Sequence, residues 1–136
     1  MMSPQMTPTP LPFWRLFLPA FSWLAFTMFL FTLPGSAFPD EPWMEGLPID
    51  KLVHIFLFAV LVLLFSLPAL KRKVGWPSWA LKLLLPLVAV AYGVAVEFIQ
   101  LQWVPNRGFE WMDVAADAAG AVLGTVLGPF IAKFVK

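Results

Sequence analysis

The chain has 136 residues, of which 60% are hydrophobic and 12% charged, and its mean hydropathy is +0.82. Polar surface that sparse cannot clothe a soluble domain, so the chain is expected in a bilayer. The lack of cysteine excludes disulfides, thiol catalysis and cysteine metal sites, and a net charge of +1 leaves no basic patch for nucleic acid.

Residues 1–12, MMSPQMTPTPLP, contain four prolines and no periodicity, and read as a disordered N-terminal tail. The rest, 13–136, reads as one domain. At about 1.5 Å of rise per residue, about 20 apolar residues cross the hydrocarbon core, so this length holds four spans. The first is Leu16 to Leu33, an uncharged run. Arg15 before it and GSA at 35–37 also fit a cleaved signal peptide, although the run is long for the apolar core of one. The second span follows Asp50 and Lys51 and runs from Leu52 to Leu70. The third lies between Trp79 and Trp103, and the fourth between Trp111 and Lys133. The expected fold is an all-α integral membrane bundle of four transmembrane helices.

Charge sets the orientation. Arg15, Lys71, Arg72, Lys73, Lys82, Lys133 and Lys136 fall on one face of such a bundle, and only Lys51 and Arg107 on the other. The positive-inside rule makes the first face cytoplasmic, with both termini on it. All the acids, Asp40, Glu41, Glu45, Asp50, Glu97, Glu110, Asp113 and Asp117, then lie in the outer loops or the outer half. Trp14, Trp76 and Trp79 mark the inner boundary, and Trp103 and Trp111 the outer one, as aromatic belts do.

Depth counted from those tryptophans brings ionisable groups into one layer. Glu97 precedes Trp103 by six residues and Asp117 follows Trp111 by six, which puts both about 9 Å below the outer interface. His54, four residues beyond Asp50, is about 6 Å down. Helical phase then turns these groups inward. Asp113 and Asp117 continue into Gly120, Gly124 and Gly128 on one stripe of small-xxx-small spacing, the signature of a packed helix face. Gly93, Glu97 and Gln100 make a similar stripe on the third helix. The expectation is a buried polar cluster open to the outside.

Simpler roles compete for each residue. Asp50, Asp113 and Glu110 suit helix N-termini, as caps or as charges complementing the helix dipole. His54 suits a hydrogen-bonded packing position, and the glycine stripe suits helix packing. Glu97 and Asp117 lie inside their spans, where an ionisable side chain signals function or a buried ion-pair network with Arg107 and Lys51.

Three blocks, IDKLVHIFLF, AYGVAVEFIQ and NRGFEWMDVAADAAGAVLG, together resemble the VanZ-like family of small bacterial membrane proteins over roughly residues 50–128. That family's pattern has an Asp-Lys with a following His, a Glu-x-x-Gln, an Arg, an Asp and a Gly-x-x-x-Gly. The resemblance implies family roles for Asp50, Lys51, His54, Glu97, Gln100, Arg107, Asp113, Gly120 and Gly124. Asp117 stands where the pattern often has Asn, which adds a second acid. The resemblance implies a multi-pass plasma-membrane protein with a cell-envelope role, of which teicoplanin resistance is the eponymous case.

Three classes of function follow. In the leading one, the outward cluster binds an envelope lipid, polymer or lipoglycopeptide, with Lys51 and Arg107, aided by Asp50, Gln100 and Glu110, meeting its phosphate or carboxylate. In the second, Glu97, Asp113, Asp117 and His54 form a membrane-embedded acid-base site for a lipid-linked substrate; carboxylates with one imidazole can also hold a divalent cation. No metal site is assigned, since no His-Glu-x-x-His spacing occurs, and no cofactor is identified. In the third, the protein is an assembly partner, with Gly120, Gly124 and Gly128 serving a homodimer.

Overall fold

The structure, a computed structural model, describes residues 12–37 and 48–135. Most of the expected tail, the acids Asp40, Glu41 and Glu45, and Lys136 lie outside these residues. The architecture is all-helical, with four helices long and apolar enough to cross a membrane. A 3-10 turn, Phe13–Phe17, leads into α1, Leu18–Phe31; α2 is Ile49–Leu70; a π-helical turn, Ala80–Leu84, leads into α3, Leu85–Trp103; and α4 is Trp111–Ile131.

Two boundaries differ from the sequence reading for physical reasons. The first span begins at Phe13 and ends at Phe31, because a turn of 3-10 helix precedes Pro19, which has no N–H to give an α-helical ladder. The second begins at Ile49, so Asp50 and Lys51 lie on the helix rather than before it. The π turn ahead of α3 was not legible; Pro86 at the start of α3 lacks the N–H that would close a normal turn onto Lys82.

The order of contacts along each pair gives the topology. Ile55 and Ala59 of α2 present their carbonyl oxygens to Gly120 and Gly124 of α4, so these helices run parallel with a constant offset. Thr27 bonds Tyr92 at 3.1 Å, and the Gln100 amide donates to the Phe31 carbonyl at 3.0 Å, so α1 and α3 run together in the opposite sense. The Trp23 indole donates to the Leu57 carbonyl at 2.9 Å, and Phe17 stacks on Trp76 with centroids 5.5 Å apart, fixing α1 along α2 and the α2–α3 loop. These bonds integrate the first span into the bundle.

The interior and exterior are inverted relative to a soluble protein. Phe21, Phe29, Leu52, Phe56, Val122 and Phe130 are exposed, whereas Thr27, His54, Ser66, Glu97, Gln100, Asp113 and Asp117 are buried. Phe31, Phe58, Val62, Val96 and Ala121 fill the centre between them. An apolar exterior with polar groups sealed inside is what a hydrocarbon solvent demands.

Gly120, Gly124 and Gly128 are all buried against α2. The stripe is therefore used inside the chain, and the expected homodimer through these three glycines has no free face to form on. Small residues let the α2 and α4 backbones approach; sequence periodicity identifies such a face but not the helix that covers it.

Candidate functional site

The N-terminal ends of α2 and α4 and the C-terminal ends of α1 and α3 meet at one end of the bundle. Two loops close it. Asn106, at φ 59, takes the left-handed conformation that Asn tolerates, and its carbonyl lies 2.9 Å from where a Cβ on Gly35 would sit. The loop after α3 thus rests on the short 3-10 turn Gly35–Ala37 after α1.

Between these ends lies the polar layer. His54, Glu97, Asp113 and Asp117 are only 3%, 0%, 4% and 1% exposed. Asp117 Oδ1 accepts from His54 Nδ1 at 2.8 Å, and His54 Nε2 faces Asp113 Oδ2 at 3.8 Å. Phe31 covers the imidazole, with ring centroids 4.7 Å apart. The backbone N–H of Glu110, at the start of α4, donates to Glu97 Oε2 at 2.7 Å and ties the α4 entrance to α3. Glu97 Oε1 and Asp117 Oδ2 are buried and lack hydrogen-bond partners among the described residues.

Lys51 stands at the mouth of the layer. Its ammonium pairs with Asp50 Oδ2 and Glu110 Oε2 at 2.7 Å each and with Asp113 Oδ1 at 2.5 Å. The network is thus arranged differently from the one foreseen: three carboxylates at the rim share the single Lys51 ammonium, and Glu97 and Asp117 take a backbone N–H and an imidazole instead. Of the two helix-terminal roles expected, the dipole-complementing one is seen: Asp50 and Asp113 occupy the first turns of α2 and α4, where Lys51 also pairs with them, whereas Pro48 and Glu110 are the cap residues and neither helix has a side-chain cap bond.

Gln100 is drawn away from the cluster, spending its amide donor on the Phe31 carbonyl and so anchoring α1. Arg107 lies half-buried in the closing loop, its backbone N–H bonded to the Val104 carbonyl at 3.3 Å. Gly93 has a role the sequence did not disclose. A Cβ there would collide with Asp117 Oδ2, so the missing side chain makes room for the carboxylate rather than for a helix backbone. The four-residue spacing from Gly93 to Glu97 was visible, but nothing in it pointed to Asp117.

The arrangement can hold or move protons, accept hydrogen bonds and hold a cation. Oxygen and nitrogen donors of His54, Glu97 and Asp113 all lie within 4.8 Å of one another, as do carboxylates of Asp50, Glu110 and Asp113. A cavity of about 680 Å³ lies elsewhere, near the opposite end, between Phe65, Trp76, Trp79, Leu85 and Tyr92. Its walls are apolar, and the Tyr92 hydroxyl beside it is engaged by Thr27.

Compared with known proteins, the model of the VanZ/LLP1 family matches residues 5–132. This span includes α1, which the three sequence blocks did not reach. No curated protein and no solved structure matches.

Proposed function

The chain belongs to the VanZ/LLP1 family of multi-pass membrane proteins, and from that premise we propose that its polar end binds the head of an amphiphilic envelope molecule: a lipid, a lipid-linked polymer or a lipoglycopeptide such as teicoplanin. The observation carrying this reading is Glu97, a carboxylate with no exposure, inside a span, with one oxygen left without a partner. An arrangement so costly in an apolar bundle is retained for use rather than for stability.

The charge distribution supports an outward placement. Among the described residues, Arg15, Lys71, Arg72, Lys73, Lys82 and Lys133 belong to the end opposite the cluster. The positive-inside rule then puts that end and both termini in the cytoplasm, and the cluster at the outer leaflet of the plasma membrane. Phe98, Phe109 and Trp111 form a continuous aromatic contact beside the cluster, with centroids 5.1 and 4.9 Å apart, suited to the ligand's apolar part.

The composition of the cluster refines the ligand. Lys51 is matched by carboxylates, and Asp50, Glu97, Glu110, Asp113 and Asp117 outnumber Lys51, His54 and Arg107. Such a site suits a head that brings hydroxyl or amino donors for the acids along with a phosphate or carboxylate for Arg107. Teicoplanin titrated into the protein in lipid nanodiscs, followed by tryptophan fluorescence, tests this. Glu97→Gln and Arg107→Ala are each expected to raise Kd about tenfold or more, the size of a charge-assisted hydrogen bond, while Lys133→Ala leaves it unchanged. Unchanged affinity in both cluster variants would overturn the reading.

A second reading rests on the His54–Asp117 pair. A carboxylate that orients an imidazole and leaves its other nitrogen facing a second acid is equipped for acid-base catalysis on a lipid-linked substrate. Turnover that is lost in His54→Gln with binding retained would establish it.

A further inference from the structure

We propose that the cluster holds one first-row divalent cation, of the Zn²⁺ or Mn²⁺ kind, on His54 Nε2, Asp113 Oδ2 and a carboxylate oxygen of Glu97. The inference rests on the reading of this cluster as a functional site, and adds the species that completes it.

Each of the three donors is tied down on one side and turned toward a common space on the other. Asp117 Oδ1 holds His54 Nδ1 at 2.8 Å, which leaves Nε2 as the ring atom facing Asp113. Lys51 Nζ holds Asp113 Oδ1 at 2.5 Å, which leaves Oδ2 facing the imidazole. The Glu110 N–H holds Glu97 Oε2 at 2.7 Å, which leaves Oε1 buried and without a partner. Orientation of a metal-binding imidazole by a carboxylate on its other nitrogen is the usual outer support of such sites.

Distances fit an ion that draws the side chains in. One ligand atom from each of His54, Glu97 and Asp113 lies within 4.8 Å of the other two, compared with about 3.4 Å between donors around a tetrahedral ion with bonds near 2.1 Å. His54 Nε2 and Asp113 Oδ2, 3.8 Å apart, are too distant for a hydrogen bond and close to that spacing. The alternative triad, Asp50, Glu110 and Asp113, already surrounds the Lys51 ammonium, and two of its members are exposed. An imidazole with two carboxylates favours Zn²⁺ or Mn²⁺ over Ca²⁺ or Mg²⁺, which prefer all-oxygen ligands. The cation would also turn a surplus of carboxylate into a site that accepts a phosphate or carboxylate.

The test uses the metal alone. Purified full-length protein in detergent is stripped with a chelator, dialysed and titrated with Zn²⁺ or Mn²⁺ by calorimetry, with bound metal counted by mass spectrometry. The expected result is one saturable equivalent per chain. Glu97→Gln and His54→Gln, both close in size to the original side chains, should each weaken it at least about 100-fold, and Asp117→Asn about 10- to 100-fold. Lys133→Ala, at the far end of the bundle, should leave it unchanged. Three results would overturn the proposal: no saturable uptake by wild-type protein that shows its normal thermal transition, uptake that survives both Glu97→Gln and His54→Gln, or Ca²⁺ binding as tight as Zn²⁺ and lost in Asp50→Asn. Teicoplanin titrated in excess chelator separates the two claims. Retained teicoplanin binding without metal uptake removes the cation and keeps the amphiphile site, whereas metal uptake without teicoplanin binding does the reverse.

Discussion

The parallel seam between α2 and α4 has two halves built on opposite principles. Toward the interior, Gly120 and Gly124 let the Ile55 and Ala59 carbonyls come against the α4 backbone, and no charged group intervenes. Toward the cluster end, the same face of α4 carries Asp113 and Asp117, which reach His54 and Lys51 across the gap. The glycine half stabilises by close packing, the main source of helix association in lipid. The polar half sequesters carboxylates that hydrocarbon would reject, and leaves Asp117 Oδ2 without a hydrogen-bond partner among the described residues. One helix face, continuous in the sequence, is thus divided between close backbone packing and a buried polar cluster.

Substitutions along this face should separate the halves. The largest effect is expected at Gly120→Ala and Gly124→Ala, because the obstacle to a new Cβ is backbone, which cannot rotate aside. Each should lose about 3 kcal/mol in an unfolding titration in mixed micelles, the upper end for overpacking. Gly93→Ala should cost about 2 kcal/mol, because the Asp117 carboxylate can turn away, but only by leaving His54. Its signature is therefore a simultaneous loss of teicoplanin affinity, which the other two glycines should not produce once the protein is folded. Gly128→Ala should be nearly silent. There the closest atom is Leu70 Cδ1 at 3.1 Å, the tip of a flexible side chain, and alanine's helix preference of about 1 kcal/mol offsets the crowding. Equal losses at Gly120, Gly124 and Gly128 would erase the distinction between backbone and side-chain contacts.

The sequence disclosed the spans, the polar layer and the packed stripe because hydropathy, aromatic belts and four-residue spacing act within single helices. Partnerships between helices were hidden. Lys51 meets Glu110, 59 residues away, because α2 and α4 start at the same level and run parallel, a relation that no local pattern encodes. Gln100 sits on the expected stripe, yet its amide faces the frayed C-terminal end of α1, where the Phe31 carbonyl needs a donor. The glycine stripe was equally compatible with an internal neighbour and a second chain. The three sequence blocks identified the family without α1, whose attachment through Trp23, Thr27 and Phe31 depends on isolated bonds rather than on a repeat.

Whether Glu97 is kept for function at a cost to stability is read most directly from the thermal unfolding of chelator-treated Glu97→Gln against wild type in detergent. The amide keeps an oxygen for the Glu110 N–H and removes the buried charge. The expected Tm equals or exceeds that of wild type, and teicoplanin binding is weakened. A fall of several degrees would contradict it, identifying Glu97 as the needed partner of a buried positive charge, whose loss typically costs about 3 to 5 kcal/mol.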